Sequence, residues 1–346
     1  MQMAEFIERL REVLRWEDSS FSATIRNEYY GHLMEGVEPA VAMLASFDPA
    51  AAEATQCLLE ALTPAQLLDF ISAPHIAAKI ISPEMFRRSE DQNLFLKALG
   101  ICAGCISDDV PLYNQRGEPI LSASLAPPAD PYRVSFGGDL PVPFMDRGGN
   151  CLSPVSTDDA ERILGKVAGA GRLIQTVNEN THGFSIRHTE VLAFRYESEY
   201  PADFSSGSFQ TLPGFSLICN CHLPAVSEPE VADAIIHEAI HSIIYQFEAF
   251  GEPLRRRDRP ADFQVISPWT GSRLGVESFA QACLVWYGLL HFWKMACDRA
   301  GQPTALYERA RKGFAALNYA NICRSSEDYL SPHVASLLAD LQTLDL

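Results

Sequence analysis

Positive charge is what this chain has least of. Lys and Arg number 27 against 44 Asp and Glu, a formal net charge of −17 at pH 7. That balance argues against a general nucleic-acid binder, whose phosphate contacts need a basic face, and for a soluble, self-repelling protein. Long apolar runs are missing too. The longest, Ala282 to Trp293, is too short to span a bilayer and is interrupted by Gly288 and His291. Met1 to Leu10 is charged and amphipathic, without the apolar core of a signal peptide. No nucleic acid, no membrane and a cytoplasmic location are the expectations. Repeats and low-complexity tracts are absent from the 346 residues, which suffice to bury a sizeable core in one large or two smaller domains.

Paired cysteine motifs are scarce. Nine cysteines, an odd number without an export signal, point to reduced thiols. Cys102-Ala-Gly-Cys105 stands alone: a structural zinc needs a second pair, and redox chemistry needs a thioredoxin-like context. Cys219-Asn-Cys221 reads as alternating faces of a strand. Cys57, Cys283, Cys297 and Cys323 read as buried small apolar residues.

What is there divides by texture. Residues 1–105 carry helical periodicity, with Leu10, Val13 and Leu14 following Phe6 and with Thr63-Pro64 opening a helix by cap and first-turn proline. A helical cap or docking region is expected. Residues 106–346 form the second part, a metal-binding catalytic domain. Its first stretch, to about residue 155, is rich in proline and broken by short extended pieces such as Tyr132 to Phe136. A helix from Thr157 to about Lys166 follows, then strand-like segments at Glu190–Tyr196 and Phe215–Cys221, with a polar loop, Ser205 to Gly214, between them. The fold class is α+β, helix-rich, with a small β-sheet packed on two long metal-binding helices.

The most informative stretch is Val231 to Glu248, which contains His237-Glu238-Ala-Ile-His241. Histidines four apart on a helix share a face, so both imidazoles can reach one divalent metal while the backbone stays helical. Ser227 and Glu230 make a capping box, Pro229 falls in the first turn, and Gly251 and Pro253 lie just past the end. Apolar residues at 231, 235, 236, 239, 240, 243, 244 and 247 keep helical period and predict a largely buried helix. Two imidazoles and a carboxylate there are costly to bury without a metal or partners.

A metal held by two histidines usually needs a third protein ligand. Ser267 to Trp293 runs from a turn into a long apolar helix closed by Gly301 and Pro303. Glu277, in its first turn, is the expected third ligand, with Gln281 one turn on. The plainer role for Glu277 is a carboxylate favouring that helix's positive end. Glu248, Glu252, His222 and His291 are weaker candidates. Two chemistries fit: a zinc hydrolase with Glu238 as general base, and a non-haem Fe(II) oxygenase with open metal positions. An oxygenase using 2-oxoglutarate also needs a cation for the far carboxylate, and Arg273, in the loop entering the second helix, suits it. Arg255, Arg256, Arg257 and Arg259 form another cationic run, read as a solvated loop.

Leu212-Pro-Gly, the strand after it, Ala232 to Ser242, Pro268-Trp269, Arg273-Leu274 and Val285 to Trp293 together resemble one bacterial family. It is the HExxH-type, 2-oxoglutarate-dependent peptide β-hydroxylases that modify ribosomally made peptides. The resemblance covers about residues 210–295, and more loosely the N-terminal helices. It implies Fe(II), 2-oxoglutarate and O2, and hydroxylation at Cβ of a residue in a precursor peptide. It also implies His237 and His241 as iron ligands, Arg273 as the cosubstrate clamp, and Glu238 as a supporting group. Some family members have histidine in the second helix where this chain offers Glu277 and Gln281. The alternative is a zinc metallopeptidase with Glu277 as third ligand; the longer metzincin motif is absent, since Tyr245 to Phe250 lack its Gly and His.

Overall fold

The computed structural model describes residues 2–103, 112–113, 119–121, 132–136, 152–254, 264–316 and 336. In chain order the helices are α1 (Met3–Val13), α2 (Ser20–Phe47), α3 (Pro49–Ala61), α4 (Pro64–Ser72), α5 (Pro74–Ile81) and α6 (Ser89–Cys102). After four short strands come α7 (Thr157–Val177), α8 (Glu179–His188), α9 (Glu228–Phe250), α10 (Val276–Ala300) and α11 (Ala305–Ala316). The strands are β1 (Leu112–Tyr113), β2 (Pro119–Leu121), β3 (Val134–Ser135), β4 (Ser153–Pro154), β5 (Val191–Tyr196), β6 (Ser205–Phe209), β7 (Leu212–Cys219), β8 (Gln264–Ile266) and β9 (Arg273–Gly275). The protein is α+β and dominated by helices. No described helix is long and apolar enough to cross a membrane.

Two compact units of interleaved segments make up the chain. One comprises Met1–Arg26, Ala170–His188 and Ala232–Leu346; the other comprises Asn27–Gly169 and Thr189–Val231. The sequence places a single break near residue 105, where composition changes. Each unit groups segments far apart in the chain, which no compositional boundary marks.

The second unit holds the mixed sheet. β5 lies parallel to β7, pairing Val191 with Phe215 through Arg195 with Cys219, and β3 lies parallel to β5 on its other side. β6 completes an edge, antiparallel to β7, and β4 pairs antiparallel with the end of β5. Ala78 of α5 packs with Ala193, Leu212, Phe215, Leu217 and Cys219 on one sheet face, so an N-terminal helix supplies part of that core.

Four expectations change here. Ser205 to Phe209, expected as a polar loop, is a strand: its ladder with β7 supplies the backbone bonds, and polar, half-buried side chains suit a sheet edge. The strand expected to run through Cys221 ends at Cys219. Asn220 takes φ 56 and turns the chain, its amide nitrogen donating to the Tyr200 and Asp203 carbonyls at 3.0 and 2.9 Å. The helix expected to stop near Lys166 continues to Val177, with Ile163, Val167, Ala170 and Ile174 buried at helical spacing. Cys57 is exposed; Cys283 and Cys297 are buried as expected. Cys105, Cys323 and the arginine run at 255–259 lie outside the described residues.

The first unit is built on α9 and α10. The capping box forms as predicted: Ser227 N–H donates to Glu230 Oε2 at 2.8 Å and Glu230 N–H to Ser227 Oγ at 3.4 Å. Val231, Ile235, Ile236, Ala239, Ile240, Ile243, Ile244 and Phe247 are all wholly buried. Burying each of the larger ones stabilises the fold by about 1.5–3 kcal/mol, which is what holds a helix with polar residues on one stripe in the interior. α10 ends where Gly301 takes φ 70 and its N–H donates to the Cys297 carbonyl. The two helices approach closely at Gly288, where a Cβ would stand 2.7 Å from Ile240 Cδ1 and 3.1 Å from side-chain atoms of Leu14 and Trp16. Trp16, buried after α1, donates its indole N–H to the Gly288 carbonyl at 2.8 Å and fixes α1 against α10.

Candidate metal centre

The helical period decides which α9 side chains meet solvent. His237, His241 and Tyr245, at i, i+4 and i+8, are partly accessible; between His237 and Phe247 every other residue is buried. The His237 and His241 rings lie 5.1 Å apart, centroid to centroid, and His241 stacks on Tyr245 at 5.9 Å with planes 16° apart. About a quarter of the His237 side chain stays accessible. The two imidazoles are therefore walled by protein on most sides yet open to a small ligand.

Their protonation favours metal binding. Burial pushes His237 down to about 4, and the nearby Arg309 guanidinium adds to the depression. Burial also pushes His241 down to about 4, with the neighbouring His237 reinforcing it, while Glu238 and Gln281 oppose. Both rings are thus neutral at pH 7, the form that donates a lone pair to a metal.

α10 supplies the second side. Gln281, buried, sets its Oε1 3.0 Å from His241 Nδ1. A carboxamide oxygen only accepts, so Nδ1 carries the hydrogen and Nε2 the free lone pair. Glu277, one turn earlier, is half-buried in the first turn of α10. Among the described residues no group of three or more His, Cys, Asp or Glu that could hold a metal ion stands together. Glu238 is buried, with Oε1 3.9 Å from His237 Nε2. Arg273 is exposed in β9, whose partner is β8.

Sequence reasoning misses a third wall. Trp286 of α10 meets the His237 ring edge-on, centroids 6.2 Å apart, and stacks on Trp269 at 5.5 Å. The Arg309 guanidinium of α11 lies 4.8 Å from the Trp286 ring centroid. Its Nη2 donates to Asp233 Oδ2 at 2.8 Å, while Trp293 Nε1 donates to Asp233 Oδ1 at 2.6 Å. Trp269 Nε1 donates to the Ala310 carbonyl at 3.0 Å, and Gly313 permits this approach, since a Cβ there would stand 2.0 Å from that nitrogen. Asp233 carries a signal that could have found it: it is a carboxylate one turn before His237 on an apolar helix, and needs a partner. Arg309 carries none, because nothing local ties it to a motif 70 residues upstream.

The other candidates are accounted for by packing. His291 packs edge-on to Tyr287 with centroids 4.5 Å apart. Glu248 Oε1 accepts the Leu254 N–H at 2.9 Å, closing the turn after α9. Glu252 lies in that turn. His222 meets Tyr196 at 4.7 Å within the sheet-bearing unit.

Comparison with protein-family models finds no match, and comparison with curated proteins finds no significant similarity.

Proposed function

We propose that this chain is an Fe(II)- and 2-oxoglutarate-dependent dioxygenase that hydroxylates Cβ of a residue in a ribosomally made precursor peptide. The observation that carries the metal part is the pair of neutral, partly accessible imidazoles on one stripe of a buried helix. Two such nitrogen donors suit Fe(II) or Zn(II) equally. The choice of iron rests on the resemblance across residues 210–295.

His237 and His241 would hold the ion, with Glu277 proposed as the third ligand because it lies one turn from the residue that touches His241. When bound, Fe(II) with O2 and 2-oxoglutarate supplies the oxidant that replaces a C–H hydrogen by hydroxyl, the cosubstrate leaving as succinate and CO2. The rest falls to the chain. Gln281 fixes the His241 tautomer and ring plane. Glu238, buried against the His237 edge, orients that ring and contributes negative charge beside the cation. Trp286, backed by the stacked Trp269, forms an apolar wall along one side of His237.

The 3.9 Å spacing of Glu238 Oε1 from His237 Nε2 favours a second reading. It puts a carboxylate beside the nitrogen that would bind metal, where a zinc peptidase keeps its general base. Anaerobic protein with Fe(II) and 2-oxoglutarate decides between them. A visible charge-transfer band, then addition of one oxygen to a cognate peptide in air, is expected. Cleavage of peptides by the Zn(II) form, indifferent to 2-oxoglutarate, refutes the oxygenase.

A further inference from the structure

One stripe of α9 meets solvent between His237 and Phe247, and it holds three side chains rather than two. His237, His241 and Tyr245 are partly accessible, while the residues between them are buried. The helical period that presents the two imidazoles therefore presents a phenol beside them. The Tyr245 ring stacks on His241 with centroids 5.9 Å apart and planes 16° apart. Long side chains on a helix lean toward its N-terminus. A tyrosine stacked on the residue one turn earlier thus carries its hydroxyl toward the His237 end of the stripe. Gln281 occupies His241 Nδ1 at 3.0 Å, which leaves Nε2 as the nitrogen available to a metal.

The stacking decides what the phenol can touch. An imidazole lone pair lies in the plane of its ring, so an ion held by His241 lies in that plane too. The stacked Tyr245 ring lies in a separate, nearly parallel plane. Its hydroxyl is set to meet a ligand on the ion rather than to join the ion's own donors. The His237 end of the stripe differs, because Trp286 meets that ring edge-on at 6.2 Å and makes the wall there apolar. We propose that Tyr245 is the ligand-positioning residue of the His237–His241 centre, its O–H donating to a small anion at the metal's open position. The ligand class is a compact anion with an oxygen or nitrogen donor, since a phenol has one hydrogen to give and a charged acceptor gains most from it. The proposal rests on His237 and His241 binding a metal, and it holds for the oxygenase and the peptidase reading alike.

The test uses the full-length protein with Co(II) as the metal and azide as the ligand, both followed in the visible spectrum rather than by turnover. Wild type, Y245F, Y245L and H237A are titrated with Co(II) by chelator competition, and the Co(II) forms are then titrated with azide. Y245F keeps the ring and its stacking on His241 and removes only the hydroxyl; circular dichroism and the thermal midpoint verify its fold. Expected: Y245F binds Co(II) as wild type does but loses about ten-fold or more in azide affinity, and Y245L loses as much. Unchanged azide affinity in Y245F, with Co(II) binding abolished in H237A, overturns the role of Tyr245 and leaves the metal centre standing. A loss confined to Y245L overturns it too, because the ring and not the hydroxyl then holds the anion. Loss of Co(II) affinity in Y245F does the same, since the phenol oxygen is then a donor to the ion. Failure of wild type to bind Co(II) overturns both the centre and the proposal.

Discussion

Removing the Gln281 carboxamide tests the centre without touching a proposed ligand. In Gln281→Leu the acceptor 3.0 Å from His241 Nδ1 disappears while side-chain volume is nearly kept. For folding, losing a partner for a buried N–H costs about 1–3 kcal/mol. His241 is partly accessible, so water recovers some of that, and the leucine adds apolar burial. Net stability should shift by no more than about 1 kcal/mol. Metal binding behaves differently. Without the acceptor the His241 ring rotates more freely and populates the tautomer with hydrogen on Nε2. Such orienting partners are worth about 10–100-fold in metal affinity, equivalent to about 1.4–2.8 kcal/mol. Gln281→Glu keeps an acceptor in place and makes it charge-assisted, so its affinity should equal or exceed wild type. The assay is chelator competition with Co(II), whose visible spectrum reports ligand geometry, alongside urea unfolding of the metal-free protein. Affinity unchanged in Gln281→Leu, or lost equally in both variants, would falsify the assignment of Gln281 as the His241 positioning residue.

Three further outcomes follow from the same geometry. Gly288→Ala puts a Cβ 2.7 Å from Ile240 Cδ1 and should destabilise by about 1–3 kcal/mol, read as a lower thermal midpoint; a rise in midpoint contradicts the close α9–α10 approach. Glu238→Gln should leave most turnover if the protein is an oxygenase, since the amide still orients His237, but should abolish peptide cleavage if it is a zinc peptidase. His188, buried and paired through Nδ1 with Gln246 at 2.7 Å, is pushed by burial down to about 3. Its folded pKa lies below the unfolded value, so the unfolded chain takes up the proton first. Stability is therefore full above about pH 6.5 and falls as pH drops from there toward 3, by at most ~1.4 kcal/mol per pH unit from this group. Urea unfolding of wild type and His188→Gln between pH 7.5 and 4 should show a shallower slope in the variant; parallel slopes contradict a neutral, buried His188.

Local chemistry makes α9 legible from its residues alone: a capping box, a first-turn proline, an apolar period and a following glycine each speak through neighbours within four residues. The same holds for α10, whose Gly301 ends it in the left-handed conformation. β6 reads as a loop because Ser-Ser-Gly-Ser has weak strand propensity, and only its pairing with β7 makes it a strand. The site divides along the same line. The spacing of His237, Glu238 and His241 is a helical fact and visible in the chain. The contact of His241 with Gln281 spans 40 residues, and that of Asp233 with Arg309 spans 76, so each depends on how two helices meet. Here the crossing is set by a missing side chain, Gly288 against Ile240, and the α11 approach by another, Gly313 against Trp269. Sequence patterns record which residues face inward; they do not record where two inward faces touch. Glu277 stands in the half-buried first turn of α10, and the exposed Arg273 on β9. The residues in contact with the histidines, Gln281 and Trp286, lie deeper along α10, where the closely packed part of the helix begins.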